Sequence, residues 1–174
     1  MVERLLLVGM MAVGKTTVGE LCATRLGWPF LDSDAQLLTD TGRTAQEIFD
    51  VDGDDALRDW ESRVLAEAIA LHVPIVVAVA GGVVLSDVNR GLLRHSGSVV
   101  WLRATVETMS DRVSRGGARP RLGDDPAKSL RVLYATRYPL YGDVASVTID
   151  VDDLTPHEVV ERIFAATGLE TVKH

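Results

Sequence analysis

Short apolar runs alternate along the chain with longer stretches whose apolar residues recur at helical spacing. Five runs have the length of a strand, at 5–8, 29–31, 75–80, 99–102 and 147–151. Most are apolar at every position, which is typical of strands buried on both faces. Residues 54–71 instead carry apolar side chains on one helical stripe, with polar residues between them. The alternation predicts an α/β fold of three layers, a five-stranded parallel sheet with helices on both faces.

The 174 residues suit one domain, and no linker or repeat divides them, so we expect a single domain over 1–174. The net charge of -7 argues against a nucleic-acid or anionic-membrane partner. The longest apolar stretch, 73–85, is too short to span a bilayer. The single cysteine, Cys22, falls on a predicted helix and is interpreted as a small core residue. We therefore expect a cytoplasmic monomer that acts on a small molecule.

A glycine-rich loop follows the first apolar run. Residues 9–16 read GMMAVGKT and match the pattern G-x-x-x-x-G-K-[ST]. The glycines let the backbone N–H groups turn toward an anion, and the following helix, expected over 17–26, adds its positive end. Lys15 can reach the β- and γ-phosphates of ATP, and the Thr16 hydroxyl can ligate Mg²⁺. The predicted nucleotide contacts of the loop are Gly9, Ala12, Val13, Gly14, Lys15, Thr16 and Thr17.

The residues after the third apolar run bear on the phosphoryl acceptor. A P-loop hydrolase or motor normally carries an acidic residue after a second core strand, whereas 75–80 runs into Gly81 and Gly82. The chain is also short for a motor. A small-molecule kinase therefore fits better than a hydrolase.

Two carboxylates, Asp32 and Asp34, follow the second run. Parallel strands present their carboxyl ends at one edge of the sheet, so both should lie near the phosphate loop. One can approach Mg²⁺, and the other can act as base toward a substrate hydroxyl. The structural alternative is that Asp34 caps the helix that begins at Ala35.

Basic residues form the remaining candidate chemistry. Arg58 and Glu61 lie one helical turn apart, either as a surface ion pair or as a carboxylate-binding arginine at the edge of the core. Arginines at 112, 115, 119 and 121 surround two glycines and a proline, which end the helix expected from Val106. Residues 112–124 are thus either a solvated basic loop or a mobile lid that closes on phosphates and delivers an arginine to the transition state.

Taken in order along the chain, these features resemble the shikimate kinases, which are P-loop kinases related to nucleoside monophosphate kinases. The similar stretches are LLLVGMMAVGKTTVG at the phosphate loop, the D-x-D of Asp32 and Asp34, 42–49 as G-x-[ST]-x-x-E-I-F, 57–61 as F-R-x-x-E, 80–82 as a glycine triplet, 119–122 as R-P-L-L and 137–141 as R-x-P-L-Y. The resemblance covers nearly the whole chain. It implies ATP- and Mg²⁺-dependent phosphorylation of the 3-hydroxyl of shikimate.

Residue roles follow from the same resemblance. It implies substrate binding, in a segment over about 33–61 and beyond it, by Asp34, Phe49, Arg58, Glu61, Gly81, Gly82 and Arg137. It implies catalysis by Lys15, Asp34 and Arg119, adenine contacts by Arg112 and Pro156, a further nucleotide contact by Arg119, and metal organisation by Thr16 and Asp32. Asp34 would activate the hydroxyl, while Arg58 and Arg137 would bind the carboxylate with Glu61 orienting Arg58.

Three positions depart from the family pattern. Ala80 replaces the first glycine of the triplet and is expected either to narrow the pocket floor or to require a shifted backbone. Leu57 replaces an aromatic residue and is expected to loosen one wall. Arg121 replaces a leucine and adds charge to the lid. These changes leave two alternatives open: a kinase of the same fold for another small carboxylated polyol or aminosugar acid, and a nucleotide-binding regulator without catalysis.

Overall fold

A parallel β-sheet forms the centre of the computed structural model, which describes residues 3–116 and 122–169. Its strands are Arg4–Val8 (β1), Phe30–Asp32 (β2), Ile75–Ala78 (β3), Ser98–Arg103 (β4) and Val147–Asp150 (β5). They pair in the order β2-β3-β1-β4-β5, and every pairing is parallel. The predicted five-stranded parallel sheet is thus confirmed.

Helices cover the sheet. They span Lys15–Leu26 (α1), Ser33–Thr41 (α2), Ala45–Ala70 (α3), Asp87–Arg94 (α4), Val106–Arg115 (α5), Pro126–Val144 (α6) and Pro156–Thr167 (α7), and a short 3-10 turn covers Val83–Leu85. Helices α1 and α7 pack together on one side, and α4, α5 and α6 pack on the other. None of the described helices is long and apolar enough to cross a membrane.

Burial follows the position of each strand in the sheet. All four residues of β3 and the last four of β1 are buried, whereas β2 and β5 at the edges are only partly so. Cys22 on α1 is fully buried, which confirms the core interpretation, and this burial raises the pKa of its thiol to about 12. A second, smaller core joins α2 to α3 and consists of Leu37, Ile48, Leu57 and Val64. It holds the segment that carries the predicted acceptor-binding residues.

Several boundaries differ from the sequence prediction. The α1 helix begins at Lys15 rather than at residue 17, and β3 ends at Ala78 although the apolar run continues to residue 80. The largest difference is α3, which begins at Ala45 instead of residue 54. Thr44 and Glu47 form a capping box there, a T-x-x-E signal that is visible in the sequence. The helix is interrupted at Gly53, whose φ of 90° is a backbone conformation that glycine adopts without a side-chain clash.

Candidate active site

A cavity of about 580 Å³ opens at the carboxyl ends of β1, β2 and β3, where the loops after these strands meet. The predicted site residues that line it are Ala12, Gly14, Lys15, Thr16, Thr17, Asp32, Asp34, Arg58, Glu61, Gly81, Gly82 and Arg137. Residues that are 125 positions apart in sequence therefore line one cavity. The cavity joins the phosphate loop to the two arginines expected to bind an acid.

The phosphate loop has the backbone that its glycines predict. Gly9 has a φ of 144°, and a Cβ built there would lie 2.5 Å from the carbonyl oxygen of Leu102 on β4. Gly14, just before α1, has a φ of 99°. The Nζ of Lys15 donates to the carbonyl oxygens of Gly9 and Met10, each at 2.8 Å. The ammonium group thus lies across the loop, at the place where phosphate oxygens would bind.

Thr16 and Asp32 form a pair of oxygen groups beside the loop. The Thr16 hydroxyl donates to Oδ2 of Asp32 at 2.5 Å, while Oδ1 of Asp32 accepts from the N–H groups of Asp34 and Ala35 at 2.9 and 3.2 Å. Asp32 is therefore the N-cap of α2. The alternative that Asp34 serves as the cap is wrong. Asp34 lies in the first turn of α2, and its exposed side chain lines the cavity.

Arg58 is held by two carboxylates on its own helix. Its Nη1 donates to Glu61, and Oδ1 of Asp54 accepts from Nη2 at 2.9 Å and from Nε at 3.2 Å. The Glu61 side chain is only 4% exposed, so the surface ion-pair alternative is wrong. Burial lowers the pKa of Arg58, but the charges of Glu61 and Asp54 outweigh it and raise the pKa overall. The guanidinium is fully charged and oriented at the cavity wall.

The glycines after β3 permit close approach of both arginines. A Cβ at Gly82 would lie 1.6 Å from Nη1 of Arg58, so no larger residue fits beside this guanidinium. A Cβ at Gly81 would lie 3.4 Å from Nη1 of Arg137, which is itself 7% exposed. The Tyr141 hydroxyl donates to the carbonyl oxygen of Gly81 at 2.8 Å and fixes this turn. Burial raises the pKa of that hydroxyl to about 12, although Arg137 acts in the opposite direction, so Tyr141 stays a neutral donor.

Two of the departures from the family pattern fall within the described residues. Ala80 is 6% exposed and lines the cavity, as expected for a residue of its floor. Leu57 does not form a cavity wall. It is fully buried in the small core between α2 and α3, so the expected loosening of a pocket wall is wrong. Arg121 lies outside the described residues.

Of the predicted site residues within 3–116 and 122–169, five do not line the cavity. Gly9 and Val13 belong to the phosphate loop but do not face the cavity, and the Val13 side chain is buried. Phe49 is 38% exposed on α3. Pro156 is the first residue of α7 and is exposed. Arg112 donates to the carbonyl oxygens of Ala12, Val13 and Val151. None of these contacts bears on the expected adenine roles of Arg112 and Pro156, which stay predictions.

The predicted lid over 112–124 is described only at its two ends, and Arg119 lies outside the described residues. At the far end, Leu122 is 1% exposed and lines the cavity. Its carbonyl oxygen accepts from the Ser129 hydroxyl at 2.7 Å, which ties this end to α6.

Sequence reasoning missed two groups that shape the site, Asp54 and Tyr141. Asp54 lies four residues before Arg58 on one helix, a spacing that could have indicated the pair. Tyr141 occurs in the stretch 137–141 but was not assigned a role. Its partner, Gly81, is 60 residues away, and no local pattern shows such a contact.

The Thr16 and Asp32 oxygens also bear on a metal. Magnesium prefers oxygen ligands, keeps several waters, and is commonly bound by one or two carboxylates together with substrate phosphates. The described residues contain no cluster of three or more histidine, cysteine, aspartate or glutamate side chains suited to a metal on its own. One hydroxyl and one carboxylate beside a phosphate loop fit Mg²⁺ that arrives with a nucleotide.

Comparison with known proteins gives a consistent result. A family model described as shikimate kinase matches residues 11–167. The shikimate kinase of Symbiobacterium thermophilum is 44% identical over 91% of this chain and 92% of its own length. That of Ruegeria pomeroyi is 39% identical over 94% of this chain and 84% of its own. The solved structure of shikimate kinase from Acinetobacter baumannii in complex with shikimate superposes with a TM-score of 0.87 at 35% identity, over 94% of this chain and 91% of that one.

Proposed function

The chain belongs to the shikimate kinase family, and we propose that it transfers the γ-phosphoryl group of ATP to the 3-hydroxyl of shikimate, giving shikimate 3-phosphate and ADP. One observation carries the proposal. A single cavity is lined by the phosphate loop, by the two arginines Arg58 and Arg137, and by Asp34. The phosphates of ATP and the carboxylate of a small acceptor can therefore be bound in the same cavity.

Arg58 and Arg137 recognise the carboxylate of the acceptor. Guanidinium groups bind carboxylates through two parallel hydrogen bonds, and a desolvated site strengthens them. Glu61 and Asp54 keep the Arg58 fork in place before the acid arrives, which lowers the ordering cost of binding. The Gly81 N–H supplies a further donor, and Phe49 would have to turn inward from its exposed position on α3 to pack against the ring.

Asp34 accepts the proton of the 3-hydroxyl as the oxygen attacks the γ-phosphorus. Phosphoryl transfer depends mainly on positioning and on neutralising charge on the transferred group. Lys15 replaces its hydrogen bonds to the loop carbonyls with hydrogen bonds to phosphate oxygens, and Arg119 adds a second positive charge. The Thr16 hydroxyl and the Asp32 carboxylate would hold Mg²⁺, which neutralises charge on the β- and γ-phosphate oxygens. Arg112 and Pro156 flank adenine.

A coupled ADP-release assay tests the proposal. ATP and Mg²⁺ are supplied with shikimate, and parallel reactions contain quinate, gluconate or no acceptor. We expect fast turnover on shikimate alone and loss of that turnover in Asp34→Asn with ATP binding retained. Faster turnover on quinate or gluconate would contradict the proposal and identify that compound as the better acceptor. Tight ATP binding without turnover on any acceptor would instead favour a regulator without catalysis.

A further inference from the structure

Arg112 makes contacts that an adenine-binding role does not explain. It lies in the last turn of α5, and its Nη1 donates to the carbonyl oxygens of Ala12 at 3.2 Å and Val13 at 3.3 Å. Its Nη2 donates to the carbonyl oxygen of Val151, just after β5, at 3.3 Å. One guanidinium therefore joins the phosphate loop to the end of the sheet.

These bonds determine where the loop N–H groups point. In a trans peptide the C=O of one residue and the N–H of the next point in opposite directions. Because the carbonyls of Ala12 and Val13 face Arg112, the N–H groups of Val13 and Gly14 face away from it. Successive N–H groups turned to one side form an anion-binding concavity.

The backbone at Ala12 needs such support. Ala12 has a φ of 62° and is the one non-glycine with a positive φ in the parts of the chain that the structure describes. A left-handed conformation costs an alanine free energy and persists only where its surroundings enforce it. Arg112 is positioned to do so, since it binds the peptide groups on the carboxyl side of both Ala12 and Val13.

We propose that Arg112 is a positioning residue for the phosphate loop, which it holds in its phosphate-binding conformation before a nucleotide arrives. The inference rests on the proposed use of this loop for nucleotide phosphates and adds a role that is independent of the base. A lysine would keep the charge, but its single ammonium group lacks the planar fork that reaches three separate carbonyl oxygens.

Inorganic tripolyphosphate separates the two roles because it has phosphates and no base. Calorimetry measures its affinity and that of ATP for the wild type, Arg112→Lys and Arg112→Met, at one ionic strength. We expect both variants to bind tripolyphosphate roughly tenfold or more weakly, as for the loss of a charged hydrogen bond, with the KM for shikimate unchanged. Pro156→Ala should weaken only ATP, and Arg131→Met, an exposed arginine on α6, should weaken neither ligand.

Several results would overturn the inference. If both Arg112 variants lost ATP affinity but bound tripolyphosphate normally, the residue would act on the base alone. If Arg112→Lys kept tripolyphosphate affinity and only Arg112→Met lost it, charge rather than the fork would matter. A wild type that failed to bind tripolyphosphate would also count against a loop prepared in advance. Normal phosphate binding without turnover of shikimate would reject the proposed acceptor and leave this inference intact. Thermal melting checks that each variant is folded.

Discussion

Gly82 and Arg58 lie so close that a methyl group on Gly82 would stand 1.6 Å from Nη1 of the guanidinium. Carbon and nitrogen atoms that are not bonded to each other do not approach to this distance, so a side chain at residue 82 displaces the guanidinium of Arg58. The same methyl group would lie 2.8 Å from Oε2 of Glu61 and would disturb the ion pair as well. The position of the arginine thus depends on the absence of a side chain on a different element.

Gly82→Ala tests this relationship. We expect the KM for shikimate to rise about tenfold or more, as for the loss of a charged hydrogen bond, while the KM for ATP changes less than twofold. Gly91→Ala on α4 is the matched control, because a Cβ there would have no neighbour within 4 Å and alanine favours a helix. Steady-state kinetics on both variants provides the readout. An unchanged KM for shikimate in Gly82→Ala would show that Arg58 does not need this space.

Removal of the guanidinium itself gives a second prediction. In Arg58→Ala the loss of a charged hydrogen-bond partner should cost about 1.5–3 kcal/mol of acceptor binding, or roughly a 10- to 100-fold rise in the KM for shikimate. The KM for ATP should change little. Arg63→Ala is the control, since Arg63 lies on the same helix, pairs with Glu67, and has a side chain that is 65% exposed. Equal effects of the two substitutions on the KM for shikimate would indicate that Arg58 does not bind the acceptor.

Asp32 has two roles that substitution can separate. Its carboxylate caps α2 and also accepts from the Thr16 hydroxyl at the proposed magnesium position. Asparagine is as good an N-cap as aspartate but lacks the charge, so Asp32→Asn should keep its melting temperature and need more Mg²⁺ for half-maximal activity. Asp32→Ala should in addition lose about 0.5–2 kcal/mol of stability. Measurements of activity as a function of Mg²⁺ concentration and of unfolding by denaturant distinguish the two effects. An unaltered Mg²⁺ requirement in both variants would show that Asp32 does not bind the metal.

The capping box at the start of α3 predicts a pH-dependent stability. Backbone and side-chain hydrogen bonds from Thr44 lower the pKa of Glu47 below its ordinary value of 4.5. Because the folded-state pKa is the lower one, the carboxylate stabilises the fold above pH 4.5, and this contribution disappears as the pH falls through the folded-state pKa. Glutamine preserves the hydrogen bonds but not the charge.

Unfolding curves of the wild type and Glu47→Gln should therefore differ at pH 7 and converge as the pH falls below 4.5. In a Thr44→Val background the pH-dependent part of the difference should shrink without disappearing, because the hydroxyl bond to Glu47 is lost while the backbone N–H of residue 44 still donates to this carboxylate. A difference that stayed constant with pH would mean that the charge of Glu47 does not contribute.

Local sequence patterns were sufficient to predict a structural feature wherever the residues that determine it lie within a few positions of one another. The phosphate loop is an example, because its glycines and Lys15 act through their own backbone and one adjoining helix. The capping box at Thr44 is equally local, although only the structure drew attention to it. In contrast, the family pattern predicted a pocket wall at Leu57, whereas the side chain lies in the core between α2 and α3, because its direction depends on how these two helices pack.

By itself the sequence determined the α/β class, the parallel sheet, the phosphate loop and the identity of most candidate site residues, since hydrophobic spacing and backbone preferences are properties of short segments. Only the tertiary structure decided that Asp32 rather than Asp34 caps α2, that Tyr141 fixes the Gly81 turn, and that Arg112 holds the carbonyls of the phosphate loop 99 and 100 residues away. Such contacts join elements that meet because helices and strands bury their apolar faces together. Their geometry is set by that packing, and no pattern within one segment specifies it.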